Sequence, residues 1–404
     1  MCTVNAVAAL LSVDEALARV LERARPLSAE AVPLERASGR TLAEDATAVI
    51  DLPRFPSSAM DGFALRAADT PGELPVVGRV AAGRPAPRSL EAGEAMGIAT
   101  GGVVPEGADA VVPIERVTES GDTVTVPDAV ARGANIRPLA ADVRAGGSVV
   151  PAGALLTPSR IAALAAAGVA EPRCAALPRI AIVTTGTELR PPGEPLGDGE
   201  IYESNGVMLA ALLERHGLVL ERETVADDEA SHREALARGL EADVLVTSGG
   251  VSVGPHDLVR GILAELGAEE VFWGVAMRPG KPISFATRGQ TLVFGLPGNP
   301  VSSLVGALLF VVPALRALQG ASGPAPRFER GMLGSAARRN PNRDDFQRAR
   351  LELDGDRAVL LPIEGQESHM IVRAAAADAL VHVPRGKGEL AAGTEARYLS
   401  LGDA

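Results

Sequence analysis

Three glycine-rich loops, each directly after a short apolar run, carry residue types that are well suited to binding an anion. Their candidate residues are glycines, hydroxyl-bearing residues, acids and the prolines of a stiff turn: Thr185, Gly186, Glu188, Ser248, Gly249, Gly250, Ser252, Gly254, Asp257, Pro297, Gly298, Asn299, Pro300 and Ser302. Glycine lets the backbone approach a ligand closely and aim its N–H groups at a negative charge. No Gly-Lys-Ser/Thr closes the second loop, which is therefore not a P-loop. The loops predict a site for a phosphorylated ligand.

Two acids beside these loops are candidate Mg²⁺ ligands. Mg²⁺ favours one or two carboxylates together with phosphate oxygens, and Asp228 and Asp257 could supply them. Each also stands at the start of a predicted helix, where an N-cap is the simpler role. For Asp228 capping is the preferred interpretation and metal binding is the alternative. The histidines show no metal-ligand spacing, and no thiol or Ser–His–Asp nucleophile is readable.

A second group of polar residues lies in loops that are individually ordinary. Arg278 and Lys281, in the segment Arg-Pro-Gly-Lys-Pro, either bind phosphate or belong to a solvated loop. Asp61 is surrounded by small residues, Thr100 precedes two glycines, and Asp142 follows a Gly-Ala-Asn-Ile-Arg segment. Each of these loops alone is more often a simple turn.

The elements that position the loops follow from the hydrophobic pattern. From Pro178 the pattern alternates between strands and helices, which predicts a mostly parallel sheet with helices on both faces. Ligands bind beyond the carboxyl ends of the strands in such folds. A capping box at Ser12 and Glu15 predicts a helix that ends near Pro26. Asn299 as the cap and Pro300 at the first position predict a further helix to Leu318.

The remaining segments carry strand patterns. From about Ala46 to Gly147 short apolar runs alternate with Gly and Pro clusters, which indicates an all-β module with long loops. A short Ala-rich helix is predicted at Pro158–Ala167. After Gly320 a Gly/Pro linker leads to a hairpin around Asp354-Gly355, so a small β-barrel or sandwich is expected.

Composition limits the class of protein. The 404 residues are 47% hydrophobic and 22% charged, as in a folded soluble protein, and the net charge is −12. An acidic chain lacks the basic field needed for broad binding to nucleic acid or membranes. Cys2 and Cys174 have no zinc-like spacing, no leader is visible, and Leu304–Leu315 is predicted to be a buried helix. We therefore expect a cytoplasmic protein.

Taken together, the loops resemble those of the molybdopterin molybdenumtransferase family, the MoeA type, which is also found as the E domain of gephyrin. The matching motifs cover nearly the whole chain in order and spacing: Ser58–Gly62, Thr100-Gly101, Pro105–Asp109, Gly133–Arg137 with Asp142, Thr185–Leu189, Ser248–Gly254, Arg278–Pro282 and Gly295–Ser302. One motif alone would be weak evidence, but the set is highly specific.

The resemblance implies a multidomain α/β plus β fold. Its parts are a molybdopterin-binding-type doubly wound α/β domain (residues 10–27 plus 178–320), a connecting domain (28–46 plus 148–177), a mostly β insertion module (47–147) and a small C-terminal β-barrel (325–404). It also implies a homodimer. Further expected partners are the molybdopterin adenylyltransferase and the recipient molybdoenzymes.

The resemblance further implies a reaction: the insertion of molybdate into adenylylated molybdopterin, with release of AMP and with Mg²⁺ as cofactor. Asp61, Thr100, Asp142 and Glu188 are the implied catalytic residues, and Asp228 and Asp257 the implied Mg²⁺ ligands. The glycine-rich loops, with Arg278 and Lys281, would hold the pterin and its adenylate.

Some positions depart from the family pattern. Gly274 and Arg278 stand where lysines are common, Pro138–Ala141 replaces a more charged segment, and Val372-Arg373 replaces a serine pair. Two other functions remain alternatives: an adenylyltransferase-like nucleotide enzyme and a non-catalytic cofactor carrier or scaffold. The β modules argue against the former, and the intact set of acids argues against the latter.

Overall fold

The computed structural model describes residues 10–250 and 258–402. The chain forms two compact units. The first unit contains the chain up to Glu30 and the chain from Ala175 onward, and the second unit is Ala31–Cys174.

A six-stranded sheet, here called the central sheet, organises the first unit. Its strands lie in the spatial order Leu218–Val225, Arg179–Thr185, Val244–Ser248, Thr291–Leu296, Ser284–Arg288 and Glu269–Trp273. The first four are parallel, and each of the last two is antiparallel to the neighbour before it. The loops that follow Thr185, Val225, Ser248 and Leu296 therefore leave from one edge of the sheet, as the sequence predicts.

Helices cover both faces of the central sheet, because its strands are apolar on both sides. Ile180 and Ile182 face one core, whereas Ala181 and Val183 face the other. The helices of this unit are Val13–Leu21, Asn205–Leu213, Glu229–Gly239, Leu258–Glu265, Pro300–Leu318 and Ile371–Ala374. The predicted doubly wound α/β fold is confirmed.

One predicted helix end needs correction, and one predicted helix start is confirmed. Ser12 and Glu15 do form the capping box, but the helix ends at Leu21 rather than near Pro26. Asn299 occupies the N-cap position before Pro300, yet its side chain makes no capping hydrogen bond. Pro300 still favours the helix start because its missing N–H would have no partner there.

The apolar helix Pro300–Leu318 lies in the core. It contains a π-helical turn, Ala307–Val311, between two α-helical parts. By length and composition alone it could cross a membrane, but 89% of its most apolar window is buried inside the protein. The prediction of a buried helix is confirmed.

The C-terminal part of the first unit is a closed five-stranded barrel. Asp344–Asp354 pairs with Arg357–Pro362 and with Ala379–Val383, and the circuit closes through Glu395–Ser400 and Glu329–Leu333. The predicted hairpin is present, with Asp354 opposite Arg357. A two-residue strand, Met277–Arg278, pairs in parallel with Asp344 and Asp345 of the barrel.

The second unit is mostly β, as predicted. Its main sheet has the order Ala110–Pro113, Gly62–Leu65, Ala95–Ile98, Gly72–Val80, Thr123–Val126 and Thr118–Ser120. Ser57–Ser58 pairs separately with Ile136–Arg137, and Ala46–Thr47 with Ser148–Val150. The predicted Ala-rich helix spans Pro158–Ala166.

Candidate active site

The predicted ligand loops meet at the carboxyl edge of the central sheet, around a cleft of about 570 Å³ that we call the strand-end cleft. It is lined by residues of several loops, including the polar residues Thr185, Glu188, Glu203, Asn205, Ser248, Asn299 and His369 together with Gly298 and Pro300. The structure thus brings together predicted residues from all three loops. Ser252, Gly254 and Asp257 lie outside the described residues.

Asn205 connects two of the ligand loops. Its Nδ2 donates to Ser248 Oγ at 2.9 Å and to the carbonyl oxygen of Gly298 at 2.6 Å. Ser248 Oγ in turn donates to the carbonyl oxygen of Pro297 at 3.2 Å. Through its amide nitrogen Asn205 thus joins the Ser248 and Gly298 segments of the cleft wall.

Sequence reasoning missed Asn205, Glu203 and His369. Asn205 directly precedes the predicted Gly206 helix, and a polar residue there suggested only a helix start. His369 comes from the barrel part of the chain, where Val301 N donates to the carbonyl oxygen of Ser368 at 3.1 Å. That long-range contact has no signal in the local sequence.

Glycine at position 249 is required by space and by backbone conformation. Its φ is +101°, and a Cβ there would lie 2.6 Å from Thr185 Oγ1 and 2.8 Å from the Thr185 carbonyl oxygen. At Gly250 a Cβ would lie 2.7 Å from Val259 Cγ2. At both glycines the loop therefore packs too closely on its neighbours to leave room for a side chain.

Gly186 leaves space for the Glu188 carboxylate. A Cβ at Gly186 would lie 2.7 Å from Glu188 Oε2, and its three nearest neighbours would all be atoms of that carboxylate. Glu188 is exposed and lines the cleft, so its side chain has room to move.

Gly186 has a φ of +159°, which is unfavourable for a side chain, so we expect Gly186→Ala to move the Glu188 side chain and to lower the free energy of unfolding by about 1 kcal/mol. The matched variant Gly249→Ala meets backbone at a left-handed φ, and we expect it to lower that free energy by about 2 kcal/mol. Chemical denaturation of both proteins checks this contrast. Equal losses of stability would contradict the local geometry.

Arg278 lies in a different cleft, on the barrel, with a volume of about 490 Å³. Arg338 and Arg339 also line it, and Arg278 Nη1 is 3.8 Å from Oδ2 of the buried Asp345. Burial raises the pKa of the Asp345 carboxyl. Among the described residues none lines both clefts, and the exposed Lys281 lines neither. The structure therefore does not place Arg278 and Lys281 with the strand-end residues.

In the second unit Asp61 and Thr100 are in direct contact. Asp61 Oδ1 accepts hydrogen bonds from Thr100 N at 2.7 Å and from Thr100 Oγ1 at 3.0 Å. These two hydrogen bonds hold the pKa of Asp61 below its ordinary value, and the bond from the backbone N–H has the larger effect. Asp142 is anchored separately, by donation of its backbone N–H to the Leu52 carbonyl oxygen at 2.9 Å.

Family comparisons cover most of the chain. The family models described as "MoeA N-terminal region (domain I and II)", "Probable molybdopterin binding domain" and "MoeA C-terminal region (domain IV)" match residues 11–168, 181–317 and 330–401. Molybdopterin molybdenumtransferase 2 of Mycobacterium tuberculosis is 36% identical, over 95% of this chain and 97% of the relative. The chain belongs to the molybdopterin molybdenumtransferase family.

Other relatives agree with this assignment. The molybdopterin molybdenumtransferase of Haemophilus influenzae is 34% identical over 95% of this chain and 97% of its own length. The crystal structure of the molybdopterin biosynthesis moeA protein from Pyrococcus horikoshii OT3 has a TM-score of 0.83 and 30% identity, and covers 97% of this chain and 100% of that one. The predicted family, the multidomain fold and the assignment to transferases of molybdenum cofactor biosynthesis are confirmed.

The Mg²⁺ that this family resemblance implies can be compared with the acids that are present. Within residues 10–250 and 258–402 no three acidic, histidine or cysteine side chains are grouped as metal ligands would be. Mg²⁺ does not require such a group, since it keeps waters and takes phosphate oxygens. Asp228 is exposed, and the Ser231 N–H that donates to its Oδ1 at 2.9 Å lowers its pKa. A charged, exposed carboxylate fits Mg²⁺ that a substrate phosphate also binds.

Proposed function

We propose that this molybdenumtransferase inserts molybdate into adenylylated molybdopterin and releases AMP in a Mg²⁺-dependent reaction. The observation that carries the proposal is the strand-end cleft, where hydroxyls, an amide and a carboxylate from separate loops meet at the carboxyl ends of parallel strands. That is where doubly wound folds bind phosphorylated ligands. The relatives' names supply the class of reaction.

In the proposed reaction the strand-end cleft holds the adenylylated pterin. Ser248, which lines the cleft, borders the ligand, and Glu188 orients water or a proton beside it. The two dithiolene sulfurs replace two oxygen ligands of molybdate, which leave as water, and one water cleaves the phosphoanhydride to release AMP. Asp228 and Asp257 would hold the Mg²⁺, which would withdraw charge from the phosphoanhydride.

The barrel cleft is suited to an oxyanion. Arg278, Arg338 and Arg339 place guanidinium groups around it in a chain whose net charge is −12. Guanidinium groups bind oxyanions through paired N–H donors. We therefore propose that Arg278 binds an oxyanion in this separate cleft, whereas molybdate meets the dithiolene sulfurs in the strand-end cleft. Lys281 remains a predicted phosphate-binding residue at the surface.

The test is release of AMP from adenylylated molybdopterin by the purified protein, with and without molybdate and Mg²⁺. Release that needs both supports the proposal. Tight binding without release would favour a carrier or scaffold, and formation of pyrophosphate from ATP would favour an adenylyltransferase. Light scattering on the same sample tests the proposed homodimer.

The double role of Asp228 can be separated by two substitutions. Asparagine caps helices about as well as aspartate, so we expect Asp228→Asn to keep the melting temperature. It removes the negative charge, so more Mg²⁺ should be needed for half-maximal AMP release. Asp228→Ala should raise the Mg²⁺ requirement and also lower the melting temperature. An unchanged Mg²⁺ requirement in both variants would remove Asp228 from the metal site.

A further inference from the structure

Two buried polar atoms at the strand-end cleft lack hydrogen-bond partners. Within the described part of the chain, Thr185 Oγ1 and Asn205 Oδ1 make no hydrogen bond, although their residues are only 8% and 9% exposed. A buried polar atom without a partner is costly and uncommon in native proteins. Both residues line the cleft, so a ligand bound there is a candidate partner for them.

The orientation of the Asn205 amide is fixed by its surroundings. Nδ2 donates to the Gly298 carbonyl oxygen at 2.6 Å, and a carbonyl oxygen can only accept. Reversal of the amide would bring two acceptors together, so Oδ1 must point away from Gly298. Oδ1 therefore needs a donor, and phosphate oxygens that are deprotonated cannot provide one.

Two glycines, Gly249 and Gly250, lie beside Thr185 Oγ1. Cβ atoms built on Gly249 and Gly250 would lie 2.6 Å and 3.3 Å from it. The preceding residue of the same strand differs, because Thr184 Oγ1 is bonded to Thr224 Oγ1 at 2.8 Å. The lack of a partner is thus specific to Thr185 and is not a general property of hydroxyls at this strand end.

We propose that Asn205 Oδ1 and Thr185 Oγ1 accept hydrogen bonds from ring N–H or amino groups of a nitrogen heterocycle. The inference rests on the proposed function, whose substrate carries two such rings, a pterin and an adenine. This part of the cleft would then hold a ring of the substrate. The phosphates of the substrate would be bound by other groups. Asn205 and Thr185 are then residues that determine which ligand is bound.

The test compares Thr185→Val with Thr291→Val, the same change at two strands of the central sheet, only the first of which lines the cleft. Thr185→Val removes a hydroxyl without a partner, so the melting temperature should stay the same or rise. Its affinity for the ring should fall about tenfold, the effect of one lost hydrogen bond. Thr291→Val breaks existing bonds from Thr291 Oγ1 to the carbonyl oxygens of Leu240 and Ala242, and Thr291 does not line the cleft, so it should lower the melting temperature and leave affinity unchanged.

Calorimetric titrations with 6-hydroxymethylpterin and with AMP identify which ring is bound. A selective loss of affinity for the pterin in Thr185→Val assigns the pterin to the site, and a selective loss for AMP assigns the adenine. Unchanged affinity for both probes, a lowered melting temperature of Thr185→Val, or a wild-type protein that binds neither probe would overturn the inference. Molybdate-dependent AMP release by the wild type is scored separately, so failure of the proposed function stays distinguishable.

Discussion

Gly62→Ala is expected to unfold the second unit of the protein. Gly62 lies in a strand between two others, and a Cβ there would be 1.9 Å from the Val112 carbonyl oxygen and 3.0 Å from Pro113 Cα. Both contacts are with backbone of a paired strand, so relief requires opening the sheet. We expect the free energy of unfolding to fall by about 4 kcal/mol or more. Thermal and chemical denaturation measure this loss.

Gly78→Ala is the matched control for this substitution. Gly78 lies in the same sheet, in the strand Gly72–Val80, and a Cβ there meets nothing within 4 Å. Alanine restricts the unfolded chain more than glycine does, so stability should be unchanged or slightly higher. If the two variants melted together, the packing of the Gly62 strand against Val112 would be wrong.

Asp61→Asn is expected to reduce turnover strongly without unfolding the protein. An asparagine Oδ1 can still accept from Thr100 N and Thr100 Oγ1, so the loop geometry should persist. The negative charge is lost, and with it any transfer of a proton or orientation of water by the carboxylate. We expect the rate of AMP release to fall about 100-fold, as for loss of a general acid or base.

The control for charge is Asp51→Asn, also in the second unit. Asp51 Oδ1 accepts from Ala145 N at 2.8 Å, and the residue belongs to none of the predicted site motifs. Its variant should turn over at the wild-type rate. A wild-type rate for Asp61→Asn would mean that Asp61 only anchors Thr100. Molybdate-dependent AMP release under identical conditions provides the comparison.

The edge of the central sheet could be predicted from sequence because its signals are local. Apolar runs that end in Thr185, Ser248 and Leu296 mark strand ends, and parallel strands must bring those ends together. The N-cap role of Asp228 was predicted for the same reason. Only the order of the strands and the antiparallel pair at the far edge needed the structure.

The contacts between distant segments could not be predicted. Arg278 follows a strand of the α/β part, yet pairing with the barrel strand moves it into a cleft with Arg338. Asn205 joins loops that are 43 and 93 residues away, and its role depends on three-dimensional proximity. The local pattern of a single sequence does not indicate which distant segments will pair. The roles assigned to the site residues therefore remain predictions for the experiments above.

The short strand Met277–Arg278 has a consequence for how the first unit unfolds. It adds a strand from the α/β part to the barrel sheet, and Phe346 and Leu380 of the barrel belong to the same apolar cluster as Phe285 and Val305. The barrel cannot open without exposing that shared cluster. Segments that share hydrogen bonds and core tend to exchange their amide protons as one cooperative block. The Gly/Pro linker after Gly320 thus separates two parts of the chain in sequence, but we expect these two parts to unfold together.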